Sequence, residues 1–168
     1  MTTTWLPGLP AGDTDWDRFA ALWPEAFDAL AQLVAAAWAE SDPVLLELCR
    51  VRMATLLGSP AEAARRTQRA RAAGLDDEKL AELPAWPSSS RFTDAERACL
   101  ALAEQFVADA NGVTDEVLAA VAGHLGPTGC YAFVEALSAL EAFQRTCLTL
   151  GIETVPEAVH SPNPELPW

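Results

Sequence analysis

The stretch 47-ELCRVRMATLLGSPAEAARRTQRARAAGL-75 carries the reading of the fold. It continues a helix opened at Asp42-Pro43, where Asp42 suits the N-cap and Pro43 the first helical position. Leu45, Leu48, Val51 and Leu56 recur at helical spacing until Gly58 ends the run. Ser59-Pro60-Ala61-Glu62 then has the S-x-x-E form of a capping box, with proline again at the first position. The pattern predicts a helix from Pro60 to Gly74, the latter a left-handed stop. On such a helix Glu62, Arg65, Arg66 and Arg69 stand at offsets of three, four and seven, which is one face.

Outward from this stretch the chain stays helical. Asp13 or Thr14 can cap a short helix carrying Trp16, Phe19, Ala20 and Trp23. Pro24 opens a second helix to about Glu40, with Phe27, Leu30, Leu33, Val34 and Trp38 at helical spacing. A short helix covers about 76–83 and a loop runs from Pro84 to Ser90. Thr93-Asp94-Ala95-Glu96 is a second capping box, opening a helix toward Asn111-Gly112. Thr114 starts another helix ending near His124, and after Gly126-Pro127 a long helix reaches about Leu150. No strand-like alternation interrupts this. An all-α single domain of about seven or eight helices over residues 1–152 is expected, followed by a proline-rich arm over 153–168.

The composition narrows the function classes. Half the residues are apolar and the formal charge is −13, so the chain is globular and a poor partner for nucleic acid or anionic membrane. The N-terminus lacks the basic start and apolar core of a signal peptide, and no run of about 18 apolar residues appears, so a cytoplasmic protein is expected. Six of the eleven basic residues (Arg50, Arg52, Arg65, Arg66, Arg69 and Arg71) lie between positions 50 and 71. They read either as a solvated face paired with carboxylates or as a positive pocket for a small anion. The four cysteines, at 49, 99, 130 and 147, have no C-x-x-C spacing and read as free buried thiols. With only His124 and His160 to join them, no metal site is expected.

Laid out in this way, residues 47–75 resemble the signature of the carboxymuconolactone decarboxylase and alkylhydroperoxidase D superfamily, in register and without gaps. The likeness continues through 93-TDAERACLALAEQF-106 and 114-TDEVLAAV-121 to Leu150-Gly151-Ile152, about residues 24–152. It implies an all-helical fold and a homo-trimer or homo-hexamer with sites near subunit contacts. Peroxidase-type members carry a C-x-x-C, a histidine four residues later and a glutamate twelve residues before. The helix start stabilises the thiolate, and the glutamate and histidine move its proton. Carried over, Glu47 is retained, Ser59 and Glu62 replace the two cysteines, and Arg66 replaces the histidine. Both sulfurs are gone, so disulfide chemistry at this place is excluded.

Decarboxylase-type members also lack the cysteine pair and work without a cofactor, with a glutamate at the Glu62 position. The resemblance therefore implies a cofactor-independent enzyme acting on a small carboxylate-bearing substrate by decarboxylation, lactone or ring chemistry, or isomerisation. Glu47 and Glu62 are the candidate acid and base. Arg66, with Arg52 or Arg65 and with Ser59 nearby, is the candidate anion-binding set. Arg66 cannot itself serve as a base. Glu47, mid-helix between Leu46 and Leu48, must be paired or neutral. It reads either as an internal ion pair with Arg50 or Arg52, or as a desolvated acid or base with a raised pKa. Cys49 and His124 are accessory candidates, His124 reading first as a helix-end residue. The rival function is a non-catalytic, ligand-binding or structural oligomer on a retired enzyme scaffold.

Overall fold

The computed structural model describes residues 6–160, and among these every regular element is a helix. In order they are α1 (Asp15–Ala20), α2 (Pro24–Ala39), α3 (Pro43–Leu57), α4 (Pro60–Ala64), α5 (Gln68–Ala72), α6 (Asp77–Ala81), α7 (Asp94–Ala108), α8 (Asp115–Leu150) and α9 (Glu157–His160), with 3-10 turns at Leu83–Ala85 and Ala110–Gly112. Thr14 and Thr93 each close a full capping box, with Asp17 and Glu96 respectively. Asp42 accepts the Leu45 amide at 2.8 Å, so α3 starts where the sequence places it. It stops at Gly58, whose φ of 73° favours a residue without a Cβ.

Helix α3 runs through the centre of the domain, against α7, α8 and α4. Leu46, Leu48, Cys49, Met53 and Ala54 are fully buried, so apolar residues cover more than one face. That is the signature of a core helix. Polar side chains on α3 are therefore enclosed whichever way they point, which sets the conditions for the site. Helix α8 is long and apolar enough to cross a membrane by length and composition. It bends at Gly126 (φ 74°), where Pro127 withholds an amide, and Phe133, Leu137, Leu140 and Phe143 belong to the core.

Three expectations change. The helix predicted from Pro60 to Gly74 is two short helices separated by extended backbone at Arg65–Thr67. Trp23 does not belong to α1; it precedes Pro24 and is 67% exposed. Residues 153–160 are held against the helices: Asp15 accepts from Thr154, Trp16 donates to its carbonyl, and Val155 and Val159 enter the core. The proline-rich tail at 161–168, including Trp168, lies outside the described residues.

Candidate functional site

The site grows from one pair on α3. Glu47 and Arg50 are three residues apart, one above the other on the helix. Arg50 donates from Nε to Glu47 Oε2 at 2.8 Å and from Nη2 to Oε1 at 3.0 Å, a bidentate fork. Both residues are fully buried. Three further donations use the rest of the guanidinium: Nη1 to the Glu62 carbonyl at 2.8 Å and to Glu62 Oε2 at 3.1 Å, and Nη2 to the Arg65 carbonyl at 2.8 Å. All five N–H groups of Arg50 are thereby engaged. Glu47 Oε1 accepts in addition the Thr67 amide at 3.0 Å.

These bonds explain the break in the chain. The Glu62 and Arg65 carbonyls and the Thr67 amide belong to the segment where helical bonding stops, and the α3 pair receives all three. Arg65 adopts extended backbone (φ −67°, ψ 145°), and Thr67 restarts the helix by capping Ala70. A buried ion pair needs further hydrogen bonds to offset the water it has lost. The interrupted helix supplies them.

The capping box predicted at Ser59 does not form. Ser59 precedes α4 without a side-chain cap bond, and Glu62 is turned inward to Arg50 and to Arg65 Nε at 3.2 Å. The single face predicted for Glu62, Arg65, Arg66 and Arg69 is lost at the same break. Arg69 donates to the Trp38 carbonyl, while Arg66 Nη1 donates to the carbonyls of Ala63 and Arg65 at 2.6 and 2.7 Å.

The raised pKa considered for Glu47 is also corrected. Burial pushes the carboxyl up, but the hydrogen bonds and charge of Arg50, with the Thr67 amide, outweigh it and hold Glu47 below its ordinary value. Glu47 is thus held as an ionised carboxylate, buried from solvent and fixed against Arg50. Arg50 is correspondingly pushed up by Glu47 and Glu62 against its own burial.

Arg52 is not a partner of Glu47. It crosses to α7 and donates to Glu104 Oε1 at 2.5 Å, where Trp86 Nε1 also donates at 2.7 Å. With Arg66 it lines a cleft of ≈ 180 Å³ walled by Val51, Leu80, Leu83 and Pro84. Ser59 instead lines a larger cavity of ≈ 470 Å³ between the start of α4 and the end of α8, with Cys147 and Ile152 on the far wall. The predicted anion set is thus divided: Arg52 and Arg66 meet, Arg65 serves Glu62, and Ser59 faces elsewhere.

Cys49 turns away from Glu47. It is fully buried, and its thiol is pushed well up by burial and by the nearby Cys99 and Glu96. Cys147 is raised to about 12 by burial and by Glu62, against the pull of Arg65. Neither thiol is poised to ionise. His124 is exposed on the first part of α8, and no hydrogen bond joins it to the charge cluster among the described residues. No group of three metal-ligating side chains occurs among those residues.

Sequence reasoning underrated Arg50, named only as a possible partner, and missed Gln144, Thr67 and Glu104. Gln144 is fully buried and donates from Nε2 to the Arg50 carbonyl at 3.0 Å, tying α8 to the cluster. The spacing from Glu47 to Arg50 was the available signal. The partners 12 to 94 residues away had none.

The comparisons agree with this architecture. The model of the Carboxymuconolactone decarboxylase family matches residues 24–105. No curated protein sequence matched the chain. A crystal structure of a protein of unknown function from Agrobacterium tumefaciens, described as an AhpD antioxidant defence protein, is similar in fold. Its TM-score is 0.73 at 20% identity, over 82% of this chain and 95% of that one. Fold, family match and the register of residues 47–75 lead to one conclusion: residues 24–105 carry the carboxymuconolactone decarboxylase family pattern, on an all-helical fold similar to that of an AhpD-like protein.

Proposed function

We propose that this chain is a redox-inactive member of the superfamily that binds a small organic anion in the cleft between Arg52 and Arg66. One observation carries the reading. Arg50 is consumed by Glu47 and Glu62, whereas Arg66 meets only backbone carbonyls among the described residues and lines a cleft. At the place of the redox pair, Glu62 is tied to Arg50 and Arg65, and Ser59 makes no cap bond. The arginine at the place of the histidine is free to hold a ligand. The homo-trimer or homo-hexamer implied by the resemblance is part of the proposal, and sedimentation would check it.

A cofactor-independent acid/base enzyme is the second reading, and Glu62 is what favours it. Its helix start, Ser59 to Ala61, lines the larger cavity. Glu62 would have to part from Arg50 and Arg65 to move a proton, and among the described residues no histidine is bonded to it.

Both readings meet in one experiment. The protein is incubated with a set of small carboxylic acids, and NMR follows ligand binding and chemical conversion together. The binding reading expects saturation transfer to at least one acid, lost in Arg66→Gln, without conversion. Conversion lost in Glu62→Gln would establish the enzyme. Binding unaffected by Arg66→Gln would remove the ground for the anion site.

A further inference from the structure

Two arginines line the cleft, yet its charge is that of one. Arg52 is neutralised by Glu104, whose Oε1 is also held by the Trp86 indole. Arg66 makes no ion pair among the described residues. Both of its bonds leave from Nη1, one to each of two carbonyls at the helix break. The guanidinium is therefore anchored at one corner, with Nε and Nη2 left along one edge. That edge suits a carboxylate, which it can grip with two parallel N–H···O bonds.

The walls restrict the rest of the ligand. Val51, Leu80, Leu83 and Pro84 present hydrocarbon, and Thr55 directs its hydroxyl to the Val51 carbonyl at 2.9 Å. A volume of ≈ 180 Å³ falls below the ~300–1,000 Å³ of pockets for drug-sized molecules. A second negative charge on the ligand would lose water against hydrocarbon, find no free cation and stand near Glu104.

Resting on the anion-binding reading above, we infer that the cleft selects a monocarboxylate with a compact apolar body, of the size of benzoate, over dicarboxylates and phosphate. Arg66 binds the carboxylate, and the apolar walls take the ring or short branched chain. Arg52 supplies shape but no net charge.

The test is calorimetric titration of the full chain at low ionic strength with benzoate, phthalate and inorganic phosphate. Benzoate should bind, and the other two at least about tenfold more weakly. Arg66→Gln should weaken benzoate by about tenfold or more, as loss of a charge-assisted hydrogen bond does, and Arg66→Lys should recover only part of it. Ala63→Leu fills the cleft while keeping both guanidiniums, and it should abolish binding. A thermal melt accompanies each variant; should Arg66→Gln fail to fold, Ala63→Leu decides. Phthalate or phosphate binding as tightly as benzoate, still sensitive to Ala63→Leu, overturns the selectivity and leaves the anion site standing. Absence of anion binding in the wild type, or benzoate binding unchanged in the variants, overturns both.

Discussion

The boxes at Thr93–Glu96 and Ser59–Glu62 have one sequence pattern and two outcomes. At the first, the Thr93 hydroxyl accepts the Glu96 amide at 3.2 Å and the Glu96 carboxylate accepts the Thr93 amide at 2.8 Å. At the second, the hydroxyl makes no cap bond and the carboxylate is drawn to Arg50 and Arg65. Glu96 also meets a cation, Lys79 at 2.6 Å, but from its other oxygen, so the cap survives. The cation at Glu62 is a fully buried guanidinium. A box is worth about 1 kcal/mol, whereas a buried charge left unpaired costs several. Glu62 therefore goes to the arginine.

The comparison can be broken most forcefully at Arg50. Arg50→Met leaves Glu47 and Glu62 buried without their cation and should cost about 3–5 kcal/mol in urea unfolding. A loss below about 1 kcal/mol would mean that the cluster is hydrated and the competition with the cap was misjudged. Next comes Glu47→Gln, read against pH. The folded pKa of Glu47 lies below its unfolded value, so its contribution is present above about pH 4.3 and is lost as pH falls through the folded value. The wild type should lose stability steeply below about pH 4. The variant should be weaker at neutral pH and flatter in acid, and equal slopes for the two proteins would contradict the pairing.

Smaller effects sharpen the contrast between the boxes. Thr93→Ala should cost about 1 kcal/mol and Ser59→Ala only a few tenths, because a cap bond is lost at one helix only. Equal costs in denaturant titration would mean that the Ser59 box forms in solution. The smallest change expected is none at all. Each box's glutamate has a thiol near it, Cys49 beside Glu96 and Cys147 beside Glu62, and both thiols are raised. Hydrogen peroxide should leave Cys49 and Cys147 of the folded protein unmodified in peptide mass mapping. A gain of oxygen at Cys147 would reopen redox chemistry at the larger cavity.

Legibility followed the reach of each interaction along the chain. Asp42, Thr93, Gly58 and the break near Gly126 were readable because a cap or a stop involves residues within about four positions. The pairing of Glu47 with Arg50, three residues on, was one of two visible alternatives. Arg52 looked equally plausible as that partner, yet it faces α7 and Glu104, 52 residues away. The interrupted helix at Arg65–Thr67 was hidden for the same reason. Arg65 and Arg66 favour continuation, Thr67 suits a cap as well, and the buried pair on α3 meets the carbonyls and amide that the break sets free.

By itself the sequence determined where most of the helices begin and end, the break at Arg65–Thr67 excepted, and that the cysteine pair of the resembled family is absent. Tertiary structure alone decided how the residues in its place are paired. Packing buries Arg50 beside Glu47, and a buried guanidinium must have its N–H groups met by whatever lies within reach. Glu62 and the backbone of 62–67 lie within reach. Desolvation acts on neighbours in space, so it overrode a capping motif that neighbours along the chain had written.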